Sequence, residues 1–184
     1  MSKVTLGDFK QAVYGLIEEI DTTNTTDYTK DPDLKQKFNS ITNTLMLELF
    51  TYKKDIQKDV ETVVEGQDFF LPDELDNFFQ LKIIKGVDYD IVDNLVTFLE
   101  DGTATIYYYS YPKQIDNTTT NDYKFNLPRE IIDCMKYGVA ADLLKNDSSN
   151  AYGNVYANRY KELKQELDMR QAVGSIRIEG GIDV

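Results

Sequence analysis

The stretch GTATIYYYSYPK, residues 102–113, decides how the chain around it is read. It holds four of the protein's thirteen tyrosines within residues 107–111. Its β-branched and aromatic residues predict a strand over 103–112. Pro112, which lacks a donor for a sheet ladder, stops it. Alternation places Ile106, Tyr108 and Ser110 on one face and Tyr107, Tyr109 and Tyr111 on the other. Both faces are therefore aromatic, whereas a sheet covered on one side alternates apolar with polar. The second face is either covered within the fold or meets another molecule. Tyrosine suits the latter role, because it offers large contact area at low rotamer cost and its hydroxyl tolerates partial wetting. Tyr107, Tyr109 and Tyr111 are the candidate contact residues.

Working outward, DIQKDVETVVEGQDFFLP (55–72) predicts a strand ending near Glu65-Gly66, then an aromatic turn closed by Leu71-Pro72. FFQLKIIKG (78–86) and LVTFLED (95–101) predict two more strands, so four lie within 55–112. Asp101-Gly102 is a hairpin signal between the last two. On the N-terminal side, Thr5 and Asp8 form a capping box. Leu6, Phe9, Val13, Leu16, Ile17 and Ile20 carry a helix over about 5–20. Asp31-Pro32 opens a second, over 32–52, with a stripe of Leu34, Phe38, Ile41, Leu45, Leu49 and Tyr52.

After a polar loop at 114–123, Pro128 starts a third helix, over 128–145, on Ile131, Met135, Val139 and Leu143. Asn146–Asn150 breaks it. A fourth, over 150–171, carries Tyr152, Tyr156, Tyr160, Leu163 and Leu167. Segregated helices and strands predict an α+β fold. The expected form is a bundle of two N-terminal and two C-terminal helices with a small, mainly antiparallel four-stranded sheet inserted. One domain is expected over 1–172, and an extended C-terminal arm over 173–184.

The 184 residues include 32 acidic and 20 basic ones and no histidine, for a net charge of −12. Binding nucleic acid through phosphates needs a basic footprint, and so does binding an anionic membrane. Stacking on single strands would also need basic residues beside the aromatics, and only Lys113 adjoins the Tyr strand in sequence. No apolar run reaches bilayer length. The start leads into an amphipathic helix, so no signal peptide and an intracellular origin are expected.

The absence of histidine removes Ser-His-Asp and Cys-His arrangements and the commonest metal ligand. The single cysteine, Cys134, lies in an apolar helical pattern and reads as a small buried hydrophobe. Neither a phosphate-binding loop nor a dinucleotide fingerprint is present. Asp88, Asp90 and Asp93 approach a calcium loop, but Val92 and Asp93 occupy the places that need an oxygen ligand and a glycine. They read as a solvated acidic turn. Nothing beside Asp73, Glu74 and Asp76 would split their pKa values as an acid–base pair requires. The expectation is a protein that is not an enzyme, with no cofactor and no metal, acting by contact.

The order of motifs resembles the bacteriophage head-to-tail connector proteins, the portal-adaptor or tail-tubular-A-like family. The matching segments are Gly66-Gln67-Asp68-Phe69-Phe70-Leu71-Pro72, Tyr109-Ser110-Tyr111-Pro112, Val139-Ala140-Ala141-Asp142-Leu143-Leu144 and Tyr156-Ala157-Asn158-Arg159-Tyr160-Lys161. They span about residues 5–170. The Tyr line departs from the family pattern, since Pro112 directly follows Tyr111, and the DELDNFF segment after Pro72 is more polar than the pattern. The resemblance implies a virion structural protein in the neck between capsid and tail, made in the bacterial cytoplasm. Its partners would be portal and tail proteins, and its own copies in a dodecameric ring through which DNA passes. The alternatives are another neck or tail-completion protein, or a non-viral protein-interaction domain. The resemblance also implies a C-terminal segment reaching along the portal. Ile176 and Ile178 alternate with Arg177 and Glu179 as a strand added to a partner's edge would. A chain end without a packed role is the competing reading.

Overall fold

The computed structural model describes residues 3–19, 23, 27–145 and 152–172. Helix α1 is Leu6–Leu16, and α2 is Pro32–Leu49, continued by a 3-10 turn over Phe50–Tyr52. There follow β1 (Asp55–Val63), β2 (Asp68–Phe70), α3 (Leu71–Glu74), β3 (Phe78–Lys85), β4 (Tyr89–Val92), β5 (Leu95–Phe98) and β6 (Gly102–Ser110). The last two elements are α4 (Arg129–Leu143) and α5 (Tyr152–Ala172).

The single four-stranded sheet expected from the sequence is corrected. The described residues form two separate three-stranded antiparallel sheets, ordered β1-β6-β3 and β2-β5-β4, with five helices instead of four. The extra pieces are short. β2 has three residues between turn-like Gly66 and Pro72, α3 is one turn opened by Pro72, and β4 lies in the segment read as an acidic turn. None is long enough to show a period of its own; β2 and β4 are strands because β5 lies between them.

Asp101-Gly102 is likewise not a hairpin, since β5 and β6 belong to different sheets. The Asp101 carboxylate accepts from Glu65 N at 2.7 Å, and Gly102 pairs with Val63, so this turn ties the crossover to the end of β1. Turn residues specify a change of direction; they do not specify which ladder receives the next strand.

The two sheets form a small sandwich. Val63, Ile84, Ala104, Ile106 and Tyr108 of the first sheet meet Phe69, Val96 and Phe98 of the second, joined by Leu71, Leu75 and Val87. Gly86 turns the chain from β3 toward β4 at φ 98°, and a Cβ there would stand 2.5 Å from Thr103 O.

The four longer helices share a second core, in which α4 touches α1, α2 and α5. The Thr5–Asp8 capping box is present. α1 stops at Leu16, short of the expected residue 20, because Glu18 takes a left-handed φ of 60°. The loop after β6 is stitched into this core. Leu6 N and Gly7 N donate to Tyr123 O and Asn121 O at 2.8 and 2.9 Å, satisfying amides that the first turn of a helix leaves unpaired. Asn43 of α2 clamps the Ile115 backbone with two hydrogen bonds, at 2.8 and 2.9 Å. Phe125 is fully buried, edge-on to Phe9 and Tyr123; burial of such a side chain contributes roughly 1.5–3 kcal/mol.

Two glycine substitutions, followed by urea denaturation, measure these backbone constraints. Gly86→Ala should lower the unfolding free energy by at least about 2 kcal/mol, through positive-φ strain and the clash with Thr103 O. Gly15→Ala, in α1 with open space around the new methyl group, should raise it by up to about 1 kcal/mol.

Candidate interaction surface

The inner face of β6 is used up by the sandwich; its outer face is not. Tyr107 and Tyr109 are half-buried on that outer face. The register sets Tyr107 between Lys58 of β1 and Ile83 of β3, and Tyr109 between Ile56 and Gln80. Ile56, Val60 and Ile83 remain 46%, 51% and 40% exposed. Together they make one apolar strip across the first sheet.

Lysines edge this strip. The Lys54 and Lys82 ammonium groups lie 5.5 and 5.8 Å from the Tyr109 ring centre, and Lys85 lies 5.6 Å from that of Tyr107. Such contacts contribute about 0.5–1 kcal/mol at exposed sites. With Lys58 they form a locally basic, aromatic face on an acidic chain. Only Lys113 adjoins the Tyr strand in sequence. The alternation of Ile56, Lys58 and Val60 sets Lys58 on the outer face of β1, whereas Lys82 and Lys85 belong to β3 and reach the rings only through strand pairing.

Tyr111 does something different. It lies beyond β6, with its N–H donating to Asn77 O at 2.8 Å. Its ring packs on Phe79 and Phe50 at centroid distances of 4.9 and 5.3 Å, and those two rings are 5.1 Å apart. This cluster joins the 3-10 turn after α2 to β3. The structure thus brings Tyr107 and Tyr109 together and sets Tyr111, packed on two rings yet 41% exposed, at the junction between helices and sandwich. Ile176, Arg177 and Ile178 lie outside the described residues.

The second sheet has an outer face of its own. Phe70, Leu95 and Val92 stand in one row across β2, β5 and β4, with Val92 72% exposed. The neighbouring row is Asp68, Thr97 and Asp90, in which the Thr97 hydroxyl donates to Asp68 at 2.6 Å. Asp90 therefore stands in a strand and not in the acidic turn read from the sequence; Asp93 is the residue that turns, at φ 56°.

A cleft of about 250 Å³ opens between the helices and the sandwich, lined in part by Asp55, Asp76, Tyr108, Ser110 and Asn126. Several of these groups bond one another: Asn126 and Gln57 donate to Asp55, and the Tyr108 hydroxyl donates to Asp76 O at 3.2 Å. Among the described residues no cluster of three or more acidic, cysteine or histidine side chains is placed to hold a metal ion, and no helix is long and apolar enough to cross a membrane. Cys134 is buried, and that burial, with a smaller contribution from Glu48, pushes its thiol from 9.0 to about 11.

No protein-family model matches this chain, and no curated protein matches it either.

The division of labour among the tyrosines is measurable. Tyr107→Ser and Tyr109→Ser should each cost about 1 kcal/mol or less, the range of cross-strand pairs on an open face. Tyr111→Ser should cost more, about 1–3 kcal/mol, because it removes two ring contacts. Chemical denaturation of the three variants decides. A thiol reagent at pH 8 should leave folded Cys134 unmodified and label it on unfolding, since the thiolate is the reactive form.

Proposed function

We propose that the chain is a structural protein of a tailed bacteriophage: a head-to-tail adaptor whose copies form a ring beneath the portal, link it to the tail and leave a passage for DNA. The observation that carries this reading is the outer face of the first sheet. Ile56, Val60, Ile83, Tyr107 and Tyr109 lie side by side where the fold's own cores do not need them. Contiguous apolar surface of that kind marks an interaction site, and tyrosine is favoured at such sites. The order of motifs between about residues 5 and 170 supplies the particular identity.

The net charge of −12 fits the role physically. Copies arranged around a DNA channel would surround it with negative potential, so DNA would slide without adhering. The same charge opposes closing a ring, so assembly would rest on apolar and aromatic contact with local charge pairing. The C-terminal segment 173–184 would reach along the portal.

The test is whether the chain is present in purified particles, by mass spectrometry and electron microscopy, and whether it binds isolated portal rings. Both are expected. The double variant Tyr107→Ser/Tyr109→Ser should keep its circular dichroism and fail to enter particles, and removal of residues 173–184 should abolish portal binding. A chain absent from particles that captures a host protein would instead be an interaction domain outside the virion, and the proposal would fall.

A further inference from the structure

We propose that the two outer faces of the sandwich are partners for each other, so that the first sheet of one copy seats on the second sheet of the next. This rests on reading the tyrosine face as an assembly surface, and it names the occupant: a second copy of this chain.

The argument is one of complementarity. The first sheet presents Ile56, Val60, Ile83, Tyr107 and Tyr109 with exposed Lys58, Lys82 and Lys85. The second presents Phe70, Leu95 and Val92 beside exposed Asp68 and Asp90. Each face is an apolar strip with charges of one sign, and the signs are opposite. Both sheets turn their other faces into a single shared core, so the two surfaces look away on opposite sides of one sandwich.

Like charge excludes the symmetric alternatives. Pairing first sheet with first sheet sets lysine against lysine, and pairing second with second sets Asp68 and Asp90 against their own copies; such juxtapositions are costly. The head-to-tail arrangement satisfies both faces at once. It is a heterologous contact, which repeats from copy to copy and closes into a ring when its rotation permits. Nucleic acid would also suit lysines beside aromatic rings, but it would leave the aspartate-edged apolar row of the second sheet without a role.

The test reverses the charges on the full chain. One variant carries Lys58→Glu, Lys82→Glu and Lys85→Glu; the other carries Asp68→Lys and Asp90→Lys. Sedimentation velocity should show concentration-dependent association of the unaltered chain, weakened by about 100-fold or more in each variant. Mixed in equal amounts, the two variants should associate again, because each reversed face then meets an opposite one. Circular dichroism checks that both are folded. Val92→Ser/Leu95→Ser, which changes no charge, should also abolish association and serves where a reversal does not fold.

The inference is overturned by an unaltered chain that stays monomeric, or that associates only with added single-stranded oligonucleotide. A reversed variant that associates normally, or a mixture that stays monomeric, overturns it too. Particle content and portal binding are read separately. Rescue by mixing with no chain in particles leaves the inference standing and removes the adaptor role; chain in particles without rescue does the opposite.

Discussion

A strand cannot turn all its side chains to one side, and the architecture depends on that constraint acting at β6. This strand is the centre of its sheet, paired along its length with β1 and over much of it with β3. Its even positions Ala104, Ile106 and Tyr108 form the floor of the sandwich core. Once they face inward, Tyr107 and Tyr109 must face outward. A tyrosine in the inner row is tolerated because the Tyr108 hydroxyl reaches the Asp76 carbonyl at the rim. A buried hydroxyl without such a partner would cost about 1–3 kcal/mol.

The same strand governs how the sandwich is attached. The sandwich is inserted between α2 and α4, so the chain leaves the helices once and returns once. β1 and β6 pair from Asp55 with Ser110 to Val63 with Gly102, which holds the outgoing and returning segments side by side. At that point one device joins the two cores and two more anchor the returning loop in the helical core. The ring cluster of Phe50, Phe79 and Tyr111 spans the gap. Asn43 grips Ile115. Phe125 plugs the helical core from the returning loop. The segment returning from β6, polar over much of its length, is thus fastened to the helical core at Ile115 and Phe125.

Legibility in the sequence followed the range of each signal. The capping box at Thr5, the Asp31-Pro32 start and the apolar stripes of α1, α2 and α4 are local, and the helices stand where those signals are. The alternation of β6 is local too, and it assigned the two faces of the Tyr strand. The second sheet was not legible. Its strands β2 and β4 hold three and four residues, and they are strands only because β5 lies between them. The lysines around Tyr107 and Tyr109 were hidden for the same reason: Lys54, Lys82 and Lys85 reach the rings through pairing of segments far apart in sequence. Parity places Tyr111 with Tyr107 and Tyr109; the strand ends before it, and its ring packs on Phe50 and Phe79 while remaining 41% exposed.

The sum of the charges is a poor guide to this surface, and their distribution is a better one. A net charge of −12 makes unrelated copies repel at a distance, and that long-range term is screened within about 10 Å at moderate salt. What remains at contact is the local pattern, where lysines on one face of the sandwich oppose aspartates on the other. The lysines also have a place when nothing is bound. Their ammonium groups hover over the tyrosine rings, and their aliphatic stems can shade apolar area that would otherwise meet water. On the proposed contact they would exchange a weak hold on a ring for a carboxylate on the neighbour, uncovering the rings as the partner's Phe70, Leu95 and Val92 arrive. On that proposal the face would become adhesive only toward a surface that supplies both the acid and the apolar row.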